Sequence, residues 1–171
     1  MIRTTLPIQF QLHTTMAVAQ LQRKHRDHQA AMHLEGFLDD QFIKLQEYQD
    51  ESSPYFVTEI LTIYFADAEK LLNDIAQALR KIPVDFKSAD PYVHQLKGSS
   101  TSIGAARVKI VCTTFRSFCQ AQNLEGCMRS LQQLQQEYSL LKNNIQYLFR
   151  LEQEIQAADG SIPTVEYIVT P

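Results

Sequence analysis

A histidine followed three and four positions later by a lysine and a glycine is where this chain concentrates its chemistry, in the stretch His94-Gln95-Leu96-Lys97-Gly98-Ser99-Ser100-Thr101-Ser102-Ile103-Gly104-Ala105. A neutral imidazole is a competent nucleophile near neutral pH, since its ordinary pKa is about 6.5. If residues 90–102 are helical, His94, Lys97, Gly98 and Thr101 share one face, because side chains three and four apart are stacked neighbours. The Lys97 ammonium then stands beside the ring, where it can screen an arriving anion. Gly98 costs roughly 0.5–1 kcal/mol relative to alanine inside a helix. Its presence one turn after the histidine implies close approach by something else, most naturally a second protein.

The motif resembles the phospho-acceptor signature of histidine-containing phosphotransfer (HPt) proteins, specifically the plant type of cytokinin phosphorelays. The residues that carry the likeness are His94-Gln95, Leu96-Lys97-Gly98-Ser99-Ser100, Ser102-Ile103-Gly104-Ala105 and Arg107-Val108-Lys109. It extends to Glu35-Gly36-Phe37-Leu38-Asp39-Asp40-Gln41-Phe42, Gln49-Asp50-Glu51-Ser52, Leu71-Leu72-Asn73-Asp74, Phe118-Cys119, Leu131-Gln132-Gln133 and Leu148-Phe149-Arg150-Leu151-Glu152-Gln153, covering about residues 18 to 163. Some plant relatives have lost the acceptor histidine, whereas His94 is present here.

The resemblance implies a phosphorelay intermediate, not an enzyme. His94 would accept a phosphoryl group from the receiver-domain aspartate of a membrane hybrid sensor histidine kinase and pass it to response regulators. Lys97 would screen the phosphoryl charge and Gly98 would give the receiver room, with Gln95 and Thr101 as neighbours. Arg116 and Gln120 fall where family members often carry a Gln or Arg that contacts the phosphoryl group. The helix carrying Asp39, Phe42, Ile43 and Gln46, with Phe37 just before it, would help form the docking surface. The receiver would bring the Mg²⁺, so no cofactor of the chain's own is expected. The protein is expected to be monomeric and to move between cytosol and nucleus, with cytokinin as the signal.

The elements that must position these residues read as helices. Ser52-Ser53-Pro54 has the form of a helix start, a serine cap and a proline at the first helical position. From there to about Lys81, Val57, Leu61, Tyr64, Ala68, Leu71, Ile75 and Leu79 form an apolar stripe. Asp90-Pro91 repeats the signal before the motif, although a short turn could begin at Asp85. This start would place His94 near the helix's positive end. Gly104 closes that helix. The next runs from about Ala105 to Gln122, with Val108, Val111, Cys112, Phe115, Phe118 and Cys119 inward. The last, from Leu124 to Ala157, keeps the period through Leu124, Met128, Leu131, Leu134, Tyr138, Leu141, Ile145, Leu148 and Ile155. The sum is an all-α fold, an antiparallel four-helix bundle of HPt type with two additional N-terminal helices.

Ahead of the bundle, Ala17 to Leu34 reads as an exposed polar helix and Leu38 to Gln49 as a second. His25 and His28 suit a solvated basic face better than a metal pair. Residues 1–17 are expected to form a poorly ordered extension, 18–158 the bundle domain and 159–171 a loose tail.

Composition narrows the function classes. A net charge of −3 and a pI near 5.9 leave no electrostatic footprint for nucleic acid or an anionic membrane. No apolar run approaches the ~18–20 residues of a membrane span. The three cysteines, Cys112, Cys119 and Cys127, form no Cys-x-x-Cys pair and read as buried small hydrophobes in a reducing compartment, and no metal site is expected. There is no Gly-rich nucleotide loop. Two other classes fit the motif less well: a module that binds receiver domains without passing phosphate, and a hydrolase using Ser99, Ser100 or a cysteine. The serines lack the strained elbow such a nucleophile requires.

Overall fold

The computed structural model describes residues 8–164, and these form six helices and no strand. They are α1 (Ile8–Leu34), α2 (Asp40–Glu47), α3 (Phe56–Arg80), α4 (Phe86–Ile103), α5 (Ala106–Gln120) and α6 (Leu124–Ala157). The described residues divide into two compact units, one within residues 1–32 and 144–171 and the other of residues 33–143, so α6 contributes to both.

The second unit holds a helical bundle of α3, α4, α5 and the first part of α6, with α2 against α3 and α4. Tight connections make successive helices antiparallel neighbours. The α3 stripe is buried as its period requires, with Val57, Leu61, Tyr64, Ala68, Leu71, Ile75 and Leu79 all inside. In the first part of α6, Leu131, Leu134, Tyr138 and Leu141 are also inside, but Leu124 and Met128 are exposed, and Cys127 takes the inner position in that first turn. The motif helix is tied to α3 by a buried 2.8 Å hydrogen bond between the Tyr64 and Ser100 hydroxyls. Tyr138 ties α6 to α3 by donating to the Phe65 carbonyl at 3.2 Å. All three cysteines are buried and unbridged.

Two helix starts differ from expectation. Ser52-Ser53-Pro54 is a turn: the Asp50 carboxylate accepts from the Ser52 and Ser53 amides, each at 2.9 Å, and holds that backbone out of the helix. α3 begins at Phe56, and the Gln49 side-chain carbonyl accepts from the Val57 amide at 3.1 Å, supplying the partner that a capping serine would have given. α4 begins at Phe86, where Asp85 is the cap and accepts from the Ser88 amide at 3.0 Å. Those hydrogen bonds hold the Asp85 carboxyl below its usual range.

The segment before α2 is stitched to the α4–α5 corner. The Asp39 amide donates to the Gly104 carbonyl at 3.0 Å and the Ala106 amide to the Phe37 carbonyl at 3.1 Å. Gly104 has φ +79°, and a Cβ there would stand 2.5 Å from the Phe42 amide nitrogen. Only glycine fits that corner.

In the first unit, α1 begins at Ile8 instead of near Ala17, because nothing between Ile8 and Leu34 breaks a helix. Residues 8–17 are therefore helical, and 1–7 lie outside the described residues. His25 is not solvated: it is fully buried, with Nε2 3.0 Å from Glu152 Oε1. His28 Nε2 donates to the Asn144 carbonyl at 2.9 Å, and its ring meets Tyr147 edge-on. The expected loose tail is held as far as Ser161, whose carbonyl accepts from Gln22 at 2.9 Å. Residues 165–171 lie outside the described residues.

Candidate functional site

Helix α4 presents Asp90, His94, Lys97, Gly98 and Thr101 along one face, as the spacing requires. Because the helix begins at Phe86, Pro91 sits in its second turn and leaves the Lys87 carbonyl without its usual donor. His94 lies eight residues beyond Phe86, about 12 Å along the axis at 1.5 Å per residue. The field of a helix end fades within its first turn. The expectation that His94 draws on that end is therefore corrected: its cationic surroundings come from side chains.

The nearest is Arg116 of α5. Its Nη1 lies 2.9 Å from His94 Nδ1, while Nε and Nη2 donate to Asp90 Oδ1 and Oδ2 at 3.0 and 3.3 Å. Asp90 thus grips the guanidinium in a two-point fork and aims its third nitrogen at the imidazole. The Asp90 hydrogen bonds raise the already high pKa of Arg116. A guanidinium has donors only, so Nδ1 is the acceptor, and the neutral ring carries its proton on Nε2. His94 is exposed, and Nε2 has no partner among the described residues.

Lys97 is half-buried and makes no ion pair or hydrogen bond with its ammonium among the described residues. Burial pushes the Cys112 thiol up to about 12, and the charge of Lys97 acts on it in the opposite direction. Gly98 is exposed, and a Cβ added there would meet nothing within 4 Å. No packing among the described residues requires a glycine at 98. Thr101 is exposed and turns its hydroxyl back to the Lys97 carbonyl at 2.8 Å. The motif serines are occupied locally: Ser99 donates to the Leu96 carbonyl at 3.1 Å, and Ser100 is buried against Tyr64.

Comparison with known proteins places this site in context. The Hpt domain family matches residues 59–144. Histidine-containing phosphotransfer protein 1 of Arabidopsis thaliana is 53% identical over 151 residues, covering 88% of this chain and 98% of that protein. The chain belongs to the histidine-containing phosphotransfer family.

Other HPt proteins agree in fold and sequence. The crystal structure of the Medicago truncatula HPt protein MtHPt2 superposes with a TM-score of 0.78 at 64% identity, covering 82% of this chain and 96% of that one. Pseudo histidine-containing phosphotransfer protein 2 of rice is 45% identical over 128 residues, covering 75% of this chain and 85% of that protein. The family makes this chain a plant two-component phosphotransfer mediator.

Within this HPt chain the other expected site residues divide. Arg116 is brought onto His94, whereas Gln120 is exposed and one turn farther along α5. In an antiparallel pair that turn leads toward the start of α4, away from His94. Gln95 is exposed on the adjacent flank of the helix. Phe37 and Phe42 are core, at 7% and 0% exposure, and cannot face a partner as expected. The Phe37 ring instead stacks under the Arg107 guanidinium, 4.1 Å from its centroid. Asp39 caps α2 by accepting from the Gln41 amide at 2.9 Å. Ile43 and Gln46 are half-buried, while Leu45 is core. Asp90, expected as a helix start, instead holds Arg116. Its position one turn before His94 was the available signal for a second role.

Proposed function

We propose that this chain carries phosphoryl groups between receiver domains on His94. The single observation that supports it best is an exposed imidazole whose Nδ1 is held by Arg116 while Nε2 faces outward, with Lys97, unpaired among the described residues, and the open space at Gly98 beside it. Nε2 is the nitrogen that an incoming phosphorus can reach. In transfer, once the ring proton has moved from Nε2 to Nδ1, the Nε2 lone pair forms the N–P bond as the P–O bond of the aspartyl phosphate breaks, and the bonding pair leaves with the carboxylate. Lys97 holds the equatorial oxygens' charge during that passage. The receiver supplies the aspartate and its Mg²⁺, and the chain provides neither a nucleotide site nor kinase or hydrolase activity.

The upstream partner in this reading is a membrane hybrid sensor histidine kinase with a receiver domain. The downstream partners are response regulators, the signal is cytokinin, and the protein acts as a monomer in cytosol and nucleus. Asp39, Ile43 and Gln46 are the docking residues that remain half-exposed.

The test is phosphoryl transfer from a labelled, phosphorylated receiver domain to the protein and to His94→Gln. Acid-labile, alkali-stable label on the wild type alone is the expected result. Binding of the receiver without movement of label would establish instead an adaptor that occupies receivers.

A further inference from the structure

The contact between Arg116 and His94 carries a consequence for the ring's protons. A neutral imidazole that accepts at Nδ1 has its proton on Nε2, so the outward nitrogen has no lone pair to offer. Attack through Nε2 requires the proton to sit on Nδ1, and a guanidinium 2.9 Å away leaves no room for it. The phosphorylated ring faces the same constraint in reverse. Phosphohistidine loses its phosphoryl group most readily when Nδ1 is protonated, because a neutral imidazole then departs; with Nδ1 bare the leaving group would be imidazolate.

Building on the reading that His94 is the acceptor, we propose that Arg116, clamped by Asp90, is a proton gate on Nδ1 that keeps His94 unreactive in both directions until the guanidinium is drawn away. The step balances simply. As Arg116 leaves, Nδ1 takes a proton from water and Nε2 releases its own, with no net change. The freed Nε2 pair attacks phosphorus, and the receiver carboxylate departs with the P–O electrons. The phosphoryl dianion of a docked receiver is the natural competitor for the guanidinium, since it offers stronger charge-assisted acceptors than an imidazole nitrogen and docking holds it there at an effective concentration that a dilute free donor does not reach. Asp90 and Arg116 are thus positioning residues that prevent the free carrier from losing its load to water and from being charged by stray donors.

The experiment compares wild type, Arg116→Met, Arg116→Lys and Asp90→Asn. Three quantities are read on the free protein: the ¹⁵N signals of the His94 ring, the rate of phosphorylation by phosphoramidate, and the lifetime of phospho-His94 at mildly acidic pH. In wild type the ring signals should show a bare Nδ1. In Arg116→Met an Nδ1–H population should appear, with labelling by phosphoramidate faster and the phospho-form shorter-lived, each by about tenfold, the scale of one charge-assisted hydrogen bond. Asp90→Asn should move the same way by less, and Arg116→Lys should recover part of the protection. A wild-type Nδ1–H signal, or rates and lifetimes unchanged in Arg116→Met, would overturn the gate.

Transfer from a phosphorylated receiver to wild type, run alongside, keeps the two readings separate. Its absence with the gate signatures intact sinks the relay and leaves the gate. Its presence with those signatures missing does the opposite.

Discussion

Tyr64 of α3 and Ser100 of α4 share a buried hydrogen bond of 2.8 Å on the inward side of the helix that exposes His94. The bond fixes the rotation of α4 about its own axis, so the hydroxyl that looks like part of the motif serves to orient the motif. Replacing Tyr64 with Phe leaves the Ser100 hydroxyl buried without a partner, which should cost about 1–2 kcal/mol. Denaturant unfolding measures that loss. Phosphoryl transfer at a temperature where the variant is folded should stay close to wild type.

The two motif glycines should respond in opposite ways. Gly104→Ala puts a Cβ 2.5 Å from the Phe42 amide nitrogen at a φ of +79°, and should destabilise by at least about 2 kcal/mol. Gly98→Ala meets nothing within 4 Å and should stabilise by roughly 0.5–1 kcal/mol. A longer residue, as in Gly98→Gln, should lower affinity for a receiver domain while the melting temperature holds. Undiminished affinity would remove the clearance role from Gly98.

Lys97 makes no ion pair among the described residues, so Lys97→Ala should leave stability within about 0.5 kcal/mol of wild type. Transfer from a phosphorylated receiver should nonetheless slow by about tenfold or more, the loss expected when one preorganised charge is removed from a phosphoryl site. Stopped-flow or quenched transfer at saturating receiver separates this from a docking defect. An unchanged rate would leave Lys97 without an electrostatic part in the step.

Burial pushes the Cys112 and Cys119 thiols up to about 12. The folded chain therefore keeps both protonated through a range in which the unfolded chain, titrating near 8.5, has released them. Between about pH 9 and 12 the unfolded state binds fewer protons, so stability must fall as pH rises. Tyr64, whose phenol burial also pushes upward, adds to the loss above about pH 10. Melting temperature against pH should decline across this window. At pH 8, thiol labelling should occur at the rate of unfolding and not at that of an exposed cysteine.

His25 and Glu152 meet at 3.0 Å with the imidazole fully buried. His25→Ala should remove the contact and open a cavity, costing about 2–4 kcal/mol. A loss below 0.5 kcal/mol, measured by urea unfolding, would mean that the pair adds nothing to the first unit.

Periodicity made the long elements legible: α6 runs from Leu124 to Ala157 as the apolar spacing requires, and every α3 stripe residue is buried. The face shared by His94, Lys97, Gly98 and Thr101 also followed from spacing alone. What failed were the boundaries set by competition between neighbouring caps. Asp50 could either leave the Ser52 and Ser53 amides to a helix start or accept from them, and it accepts, which moves the start of α3 and recruits Gln49. Asp85 and Asp90 both precede plausible starts; Asp85 caps the helix, and Asp90, inside it, is engaged with Arg116. His25 resembles its charged neighbours in sequence, and its burial depends on Glu152, which lies far along the chain. Arg116 could be placed near the site only by resemblance, since the pairing of two helices decides which of its turns meets His94.

The distance from Phe86 to His94 bears on how such a carrier can be tuned. Peptide dipoles are a fixed property of the backbone and cannot be edited without moving a helix. Here the field at the imidazole belongs to one guanidinium, one carboxylate and one ammonium, each borne on a side chain that a single codon can change. The lifetime of the charged carrier and the ease of loading it are thus adjustable residue by residue on an unaltered scaffold.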